Sequence, residues 1–193
     1  AIRLDPKYAH AFNGRGNTYS AKGDLDRAMA DYNEAIRLDP KYGRGYLNRG
    51  IAYLYSGNLV KALADESQAN AVRPKDAYAA LWLDIIGQRN NVPSNLSQAI
   101  SQIDMTAWPA PVLRMFLGQL TRAAVLAAAN DPDANKKTGQ VCEANFYSGE
   151  LALRAGGKDE ATRLFQLASS GCPKDFREYY AANAELKALG VTP

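Results

Sequence analysis

The feature that most constrains this chain is an eight-residue stretch that occurs twice. Residues 1–8 read Ala-Ile-Arg-Leu-Asp-Pro-Lys-Tyr, and the same eight residues return at 35–42, 34 positions later. A fixed period of 34 residues is the length of a helix–turn–helix unit that stacks on copies of itself. Such a unit buries its apolar face only against its neighbours. The repetition therefore predicts an all-α chain of stacked helix pairs.

Residues 9–42 have the sequence of one complete unit. One helix is predicted over residues 9–21 and a second over residues 24–38. Gly23 ends the first helix, and the aspartate that follows it caps the second. Pro40 stops the second helix because the residue before a proline is pushed out of the helical region.

Small residues and aromatic rings recur at the same places in this unit and the next. They are Phe12, Gly16, Tyr19, Ala28, Tyr32, Ala35 and Pro40 in the first unit, and Tyr46, Gly50, Tyr53, Ala62, Ala69 and Pro74 in the second. The chain thereby resembles the tetratricopeptide repeat (TPR) family, in which small residues let paired helices approach and rings fill the gaps. Arg15 and Arg49 depart from the family by replacing a large apolar residue, which predicts local looseness or a buried stem with a surface charge. Glu66 replaces the aromatic residue that corresponds to Tyr32.

The predicted fold is an all-α, right-handed α-α superhelix of the TPR type with a C-terminal capping helix. We expect a single solenoid domain over residues 1–193, starting within the tail of a preceding repeat of a longer protein. Its expected parts are that tail (1–8), two repeats (9–42 and 43–76), a degenerate repeat (77–108), a degenerate helix pair (109–138), a repeat (139–174) and the cap (175–189). Residues 130–137 are expected to form an exposed loop, and Asp175 is expected to cap the last helix.

Composition argues against several classes of function. The net charge is only +3 with both signs mixed along the helices, so no nucleic-acid partner is expected. No apolar run approaches the roughly 20 residues that cross a bilayer, so no transmembrane segment is expected in this fragment. His10 is the only histidine, which rules out a multi-histidine metal site and leaves no convincing catalytic group. We therefore expect no enzyme, no cofactor and no metal.

A second resemblance covers roughly residues 77–189. The stretches Ala-Leu-Trp-Leu (80–83), Glu-Ala-Asn-Phe-Tyr-Ser-Gly (143–149) and Glu-Ala (160–161) occur in order, with Trp108, Phe116, Leu164, Phe165 and Leu186. In these residues the chain resembles the NlpI-type family of bacterial TPR lipoproteins. The resemblance implies a periplasmic, outer-membrane-anchored adaptor, often dimeric, that brings a protease to cell-wall hydrolases. A signal or lipid-attachment segment would lie upstream of this fragment.

Two cysteines, Cys142 and Cys172, occupy positions 1 and 31 of the last repeat. The helices of a repeat are antiparallel, so the start of the first and the end of the second lie close together. The spacing is compatible with a disulfide, which needs Cα atoms within about 7 Å. The alternative is two small buried apolar side chains. A disulfide would indicate an oxidising compartment.

The leading functional hypothesis is a scaffold that binds a peptide or protein partner in the concave groove of the solenoid. The predicted groove residues are His10, Asn13, Asn17, Arg44, Leu47, Asn48, Ile51, Leu54 and Tyr55. Leu47, Ile51 and Tyr55 are the proposed apolar anchors, provided that neighbouring helices or a dimer mate do not cover them. The three asparagines would bond the backbone of the peptide, and Arg44 would favour an acidic group.

One type of TPR domain holds a C-terminal carboxylate with two asparagines and several cations. Asn17 and Asn48 match its asparagine places, but Asn13, Tyr78 and Trp82 stand where cations are required. The carboxylate site is therefore incomplete. Two other functions remain open, a homodimeric structural scaffold and a glycan-binding or enzyme-associated accessory domain. The last of these rests only on aromatic residues such as Trp82, Trp108 and Tyr147.

Overall fold

The computed structural model describes residues 8–192, so the predicted repeat tail at residues 1–7 lies outside it. Within the described range there are eleven α-helices, one short 3₁₀ turn and no β-strand. The helices are α1 (Ala9–Ala21), α2 (Leu25–Leu38), α3 (Gly43–Tyr55), α4 (Leu59–Val72), α5 (Ala77–Arg89), α6 (Leu96–Ala99), α7 (Ala110–Phe116), α8 (Arg122–Ala128), α9 (Ala134–Arg154), α10 (Lys158–Gly171) and α11 (Arg177–Ala188). The predicted all-α helical-repeat fold of the TPR type is confirmed.

The helices group into two compact units. The N-terminal unit ends at Asp104 and contains α1 to α6, and the C-terminal unit begins at Met105 and contains α7 to α11. The boundary falls inside the segment predicted as a degenerate repeat, residues 77–108. A single solenoid domain over the whole chain stays a prediction.

The turns inside the first two repeats form as their sequences predict. Gly23 and Gly57 have positive φ angles of 76° and 80°, in the left-handed region that favours glycine. Asp24 then caps α2 by accepting a hydrogen bond from the backbone N–H of Arg27. Asn58 caps α4 in the same way. Each side chain satisfies one of the backbone donors that a helix start leaves open.

Paired helices approach each other where glycine faces an aromatic ring. A methyl group on Gly16 of α1 would lie 2.7 Å from the ring of Tyr32 on α2, which is closer than van der Waals contact allows. Gly149 of α9 and Phe165 of α10 repeat the arrangement, with a corresponding distance of 2.6 Å. Glycine is therefore required at both places because the ring lies directly on the helix backbone.

The second repeat keeps this close approach with a carboxylate in place of the ring. Glu66 of α4 is fully buried. A methyl group on Gly50 of α3 would lie 2.6 Å from its Oε1 atom. The substitution of glutamate for an aromatic residue therefore preserves the position of the side chain while changing its chemistry.

The arginines that replace an apolar residue are ion-paired, so the predicted looseness is wrong. Arg15 forms two hydrogen bonds of 2.7 Å with Asp31, and Arg49 forms bonds of 2.7 and 2.8 Å with Asp65. Both aspartates are buried. The second pair is displaced from the first by 34 residues, so the same two-pronged contact joins helices one and two of each repeat.

Each of these guanidinium groups also lies over an aromatic ring. Arg15 is 5.3 Å from the ring centroid of Phe12, and Arg49 is 5.7 Å from that of Tyr46. Arg49 additionally donates a 2.6 Å hydrogen bond to Asn33 of the preceding repeat. Cation–π contacts of this kind add to the stabilisation that the ion pair provides. The guanidinium group of each arginine therefore contacts both an aspartate and a ring.

The third repeat is shortened in its second helix. Helix α5 is complete, but α6 has one turn and continues only as a 3₁₀ turn at Ile100–Gln102. Asp84 stands at the small-residue place of α5, is buried, and accepts a hydrogen bond from the hydroxyl of Ser94. The predicted short helix is therefore confirmed, and the loop before it is fastened to α5.

Helix α9 is longer than the sequence pattern suggests. It begins at Ala134 because Asp133 accepts hydrogen bonds from the backbone N–H groups of Asn135 and Lys136. The prediction of a loop through residue 137 is therefore wrong, although residues 132–138 are exposed as expected. Those backbone bonds hold the pKa of Asp133 below its usual value.

The core of the C-terminal unit combines rings with buried carboxylates. The ring of Tyr147 lies edge-on to Phe146 with centroids 5.1 Å apart, and its hydroxyl donates to buried Glu178 over 3.0 Å. Trp108 donates to buried Glu143 over 2.6 Å. Trp82 of the N-terminal unit and Tyr147 are fully buried. Trp82 and Tyr147 therefore serve packing, whereas Trp108 is half-buried.

The predicted disulfide joins α9 to the end of α10. Cys142 and Cys172 are bonded, with Cα atoms 4.8 Å apart, and both are buried. The antiparallel course of the two helices places Cys142, eight residues after the start of α9, next to Cys172 at the end of α10. The disulfide interpretation of the cysteines is therefore confirmed over the alternative of two small buried apolar side chains.

Helix α11 packs on α9 and α10. Its N-cap position is held by Phe176 without a side-chain hydrogen bond, so the prediction that Asp175 caps it is wrong. A methyl group on Gly139 of α9 would lie 2.7 Å from the Phe176 ring. Packing of this ring on α9 places the helix start one residue further along the chain.

Glycine packing gives a paired test on one helix. We predict that Gly16→Ala destabilises the chain by about 1–3 kcal/mol, because the new methyl group would press on Tyr32. Gly14→Ala is the matched control, since nothing lies within 4 Å of a methyl group there. That change should stabilise α1 by about 0.5–1 kcal/mol. Urea unfolding measures both, and equal midpoints for the two variants would contradict the packing account.

The repeated ion pair gives a second test. We predict that Arg49→Met lowers the free energy of unfolding by roughly 2–3 kcal/mol, because Asp65 stays buried without its partner. Loss of one partner from a fully buried pair costs about 3–5 kcal/mol, and the cost is smaller here because Arg49 is partly exposed. Arg37→Met is the control, because Arg37 pairs with Glu34 at the surface, where such pairs are worth about 0–1 kcal/mol. A loss of equal size in both variants would show that the Arg49 pair has no special role.

Candidate functional site

The predicted groove residues lie on two neighbouring helices of the N-terminal unit, with different degrees of burial. Helix α1 carries His10, Asn13 and Asn17, and helix α3 carries the others. His10, Asn17 and Arg44 are exposed, whereas Asn13 is buried and Asn48 half-buried. The two helices pack against each other within the unit, which brings the polar members of the set together.

The apolar members of the predicted groove belong to the core. Leu47, Ile51 and Leu54 are 1%, 9% and 5% exposed, and Tyr55 is half-buried. Helix α3 contacts α1, α2, α4 and α5 within the unit, so its faces are occupied by neighbouring helices. The hypothesis that Leu47 and Ile51 anchor a bound peptide is therefore wrong.

The three predicted asparagines form one hydrogen-bonded cluster. The Nδ2 atom of Asn48 donates to the Oδ1 atoms of Asn13 and Asn17, each over 2.9 Å. The hydroxyl of Tyr32 donates to the same Oδ1 atom of Asn17 over 3.0 Å. Tyr32, whose ring packs on Gly16, therefore also orients the side chain of Asn17. This hydrogen bond links the cluster to helix α2.

The direction of these bonds determines what the cluster can offer to a ligand. A side-chain amide carries an acceptor oxygen and a donor NH₂ group on opposite branches. The oxygens of Asn13 and Asn17 are turned toward Asn48, so their NH₂ groups point away from it. The cluster therefore presents donors, which suit a carbonyl or carboxylate oxygen.

Positive charge and aromatic rings lie at the N-terminal ends of the same two helices. The ring of His10 is 5.3 Å from that of Tyr8 and 4.5 Å from that of Tyr42. Burial raises the pKa of Tyr42, and the nearby guanidinium groups of Arg44 and Arg73 act in the opposite direction. Two cations therefore lie close enough to influence the Tyr42 hydroxyl.

Residue spacing aligns these groups along one surface. His10, Asn13 and Asn17 follow at intervals of three and four on α1, and Arg44 and Asn48 are four apart on α3, which places each set on one face of its helix. We call this surface of five residues the amide face. It has donors along its length and a cation at one end.

The remaining places of the carboxylate-binding pattern do not carry its chemistry. Trp82 is fully buried in α5, and Tyr78 is half-buried near the start of the same helix. Asn13 supplies an amide where a cation is usual. The amide face is therefore a neutral donor site with Arg44 at its edge. Tyr32 supports this face through its hydrogen bond to Asn17. The spacing argument missed that role because the place of Tyr32 indicated only packing.

Residues 8–192 contain no group of three or more histidine, cysteine, aspartate or glutamate side chains arranged to hold a metal ion. No helix in that range is both long enough and apolar enough to span a bilayer.

The family comparison agrees with a helical-repeat fold over part of the N-terminal unit. The family described as TPR repeat matches residues 16–57, which run from within α1 to the turn after α3. A chain in the solved structure of Naa15/Naa10 bound to HypK-THB is 16% identical, with a TM-score of 0.46 over 97% of this chain and 30% of that one. This chain thus spans less than a third of the length of that chain. Residues 16–57 are similar to a TPR repeat, and they carry most of the amide face.

Proposed function

We propose that this chain is a non-catalytic scaffold for protein interactions and that its amide face binds a carboxylate-bearing end of a partner peptide. The observation that carries the proposal is the amide cluster, in which Asn48 holds the oxygens of Asn13 and Asn17. The match of residues 16–57 to the TPR repeat family supports a role in interaction. The exposed ring of His10 is stacked on Tyr8 and tilted against Tyr42, so it is held in place where a partner can contact it.

The chemistry of the amide face favours an anionic acceptor over a neutral one. Hydrogen bonds to a charged group contribute about 1.5–3 kcal/mol, against about 0.5–1.5 kcal/mol between neutral groups. Arg44 is exposed at the end of the face, and a guanidinium favours a carboxylate over an amide. With one exposed arginine and no lysine on the face, we expect affinity that depends on the asparagines and is sensitive to salt.

We further propose that the chain works as an adaptor in an oxidising compartment such as the bacterial periplasm, where its partners would be proteases or cell-wall hydrolases. The disulfide between Cys142 and Cys172 supports this proposal, because disulfides persist in secreted and periplasmic proteins and are rare in the cytosol. The resemblance of residues 77–189 to periplasmic TPR lipoproteins is the second support.

The carboxylate proposal is tested with a fluorescein-labelled pentapeptide that ends in aspartate with a free C-terminus. We predict saturable binding by fluorescence anisotropy, and at least tenfold weaker binding of the same peptide ending in asparagine amide, which lacks both carboxylates. Asn17→Ala combined with Asn48→Ala should also weaken binding at least tenfold, because it removes a donor and the residue that orients the others. Arg44→Gln should reduce both the affinity and its dependence on salt.

Asn135→Ala is the matched control, since Asn135 is an exposed asparagine of the C-terminal unit. This variant should bind like the parent chain. Circular dichroism of every variant establishes that helix content is unchanged. Equal affinity for the free and blocked peptides, or full affinity of the folded double variant, would place the binding site elsewhere.

The disulfide gives a test of compartment and stability together. Mass spectrometry after alkylation of protein purified from the periplasm of an expressing bacterium should show both cysteines protected. Reduction should lower the free energy of unfolding by roughly 3–4 kcal/mol, the amount expected for closing a loop of this length. Free thiols in that preparation, or an unfolding midpoint unaffected by reductant, would argue against an oxidising site of action.

A further inference from the structure

A cavity of about 240 Å³ lies inside the N-terminal unit, away from the amide face. One wall is formed by Leu63, Ser67 and Asn70 at helical spacing on α4. The opposite wall is the face of α5 that carries Ala80, Leu83, Asp84 and Gly87, and the loop and short helix over residues 92–99 close the end. The exposed residues 92–95 mark its opening to solvent.

The decay of the third repeat explains why this space exists. Helices α2 and α4 have 14 residues each, whereas α6 has only 4 and its 3₁₀ continuation 3. The shortened helix leaves part of the α5 surface without a partner helix. Small side chains line the gap, and a methyl group added to Gly87 would still lie 3.8 Å from its nearest neighbour, Val92.

Two buried acceptors face this otherwise apolar space. Asp84 is 6% exposed, and the hydroxyl of Ser94 donates to its Oδ1 atom while accepting from the backbone N–H of Leu96. Asn70 also lines the cavity, and its Oδ1 atom is buried with no hydrogen-bond partner among the residues that the structure describes. A buried acceptor without a donor is costly, so the cavity favours an occupant that brings one.

Charge and size restrict that occupant further. The lining contains a carboxylate and no lysine, arginine or histidine, so a cation is favoured over a neutral donor. The volume is below the roughly 300–1,000 Å³ of pockets for drug-sized ligands. The remaining lining side chains are mostly aliphatic, which suits a short hydrocarbon chain next to the charge.

We propose that this cavity binds an aliphatic primary ammonium group, with the nitrogen between Asp84 and Asn70 and the carbon chain against Leu63, Leu83 and Leu96. A lysine side chain from a partner protein and a free alkylamine share this chemistry. The site is separate from the amide face and does not depend on it. It would give the scaffold a second recognition point with the opposite charge preference.

The test is an NMR titration of the full ¹⁵N-labelled chain with n-butylammonium chloride and with N-acetyl-lysine-N-methylamide. We expect saturable shifts of the backbone signals of Ala80, Gly87 and Ala99 with at least the first probe. Shifts with both probes identify a side-chain site, and shifts with n-butylammonium alone identify a free-amine site. N-acetyl-norleucine-N-methylamide, which has the same chain without the charge, should bind at least tenfold more weakly.

Two variants keep the proposal falsifiable. Asp84→Asn removes the charge at constant size, and Ser67→Leu fills the cavity from its exposed side while leaving Asp84 intact. Each should weaken n-butylammonium binding at least tenfold, whereas Asp26→Asn, a charge change on the exposed side of α2, should leave it unchanged. The proposal is overturned if neither ammonium probe saturates, if the norleucine compound binds equally, or if both folded cavity variants keep full affinity.

Discussion

The contact of an aromatic ring with a glycine backbone is the interaction on which the N-terminal unit depends. Tyr32 can lie directly on α1 only because Gly16 has no side chain, and this contact sets the distance between paired helices. The same ring carries its hydroxyl to Asn17, where it forms a hydrogen bond. Helix packing and the orientation of the amide cluster are therefore two consequences of one side chain. Phe165 and Gly149 repeat the packing contact in the C-terminal unit, without a hydroxyl and without an amide cluster.

Departures from the repeat pattern are the most informative positions of this chain. Arg15 and Arg49 stand at a position where the repeat pattern has an apolar residue, yet each is hydrogen-bonded to an aspartate 16 residues later. Asp84 stands at a position where the repeat pattern has a small residue, and it accepts a hydrogen bond from the hydroxyl of Ser94. In each case a polar group is buried together with a partner, as buried polar groups require. The cavity beside α5 contains a buried acceptor, the Oδ1 atom of Asn70, that has no hydrogen-bond partner among the described residues, which is why the cavity points to a ligand.

The regular parts of the fold could be predicted from the sequence because their signals are local. Glycine turns and acidic caps determine the bounds of α1 and α2, and antiparallel pairing of two helices determines that Cys142 and Cys172 meet. The burial of Leu47 could not be read from spacing, since it depends on how closely the neighbouring helices pack around α3. The early start of α9 was missed because its first turns are polar and only the Asp133 cap signals them. Of the predicted site, the polar residues came together and the apolar ones joined the core.

The central claim is that Asn48 orients two amide groups so that their donors face a ligand. The most direct measurement is the NMR signals of the side-chain NH₂ groups during titration with a peptide that has a free C-terminal carboxylate. The account predicts large saturable shifts for the NH₂ groups of Asn13 and Asn17 and a small one for Asn48, whose NH₂ group is already engaged within the cluster. Peptide binding that shifts other signals and leaves those of Asn13 and Asn17 in place would contradict it.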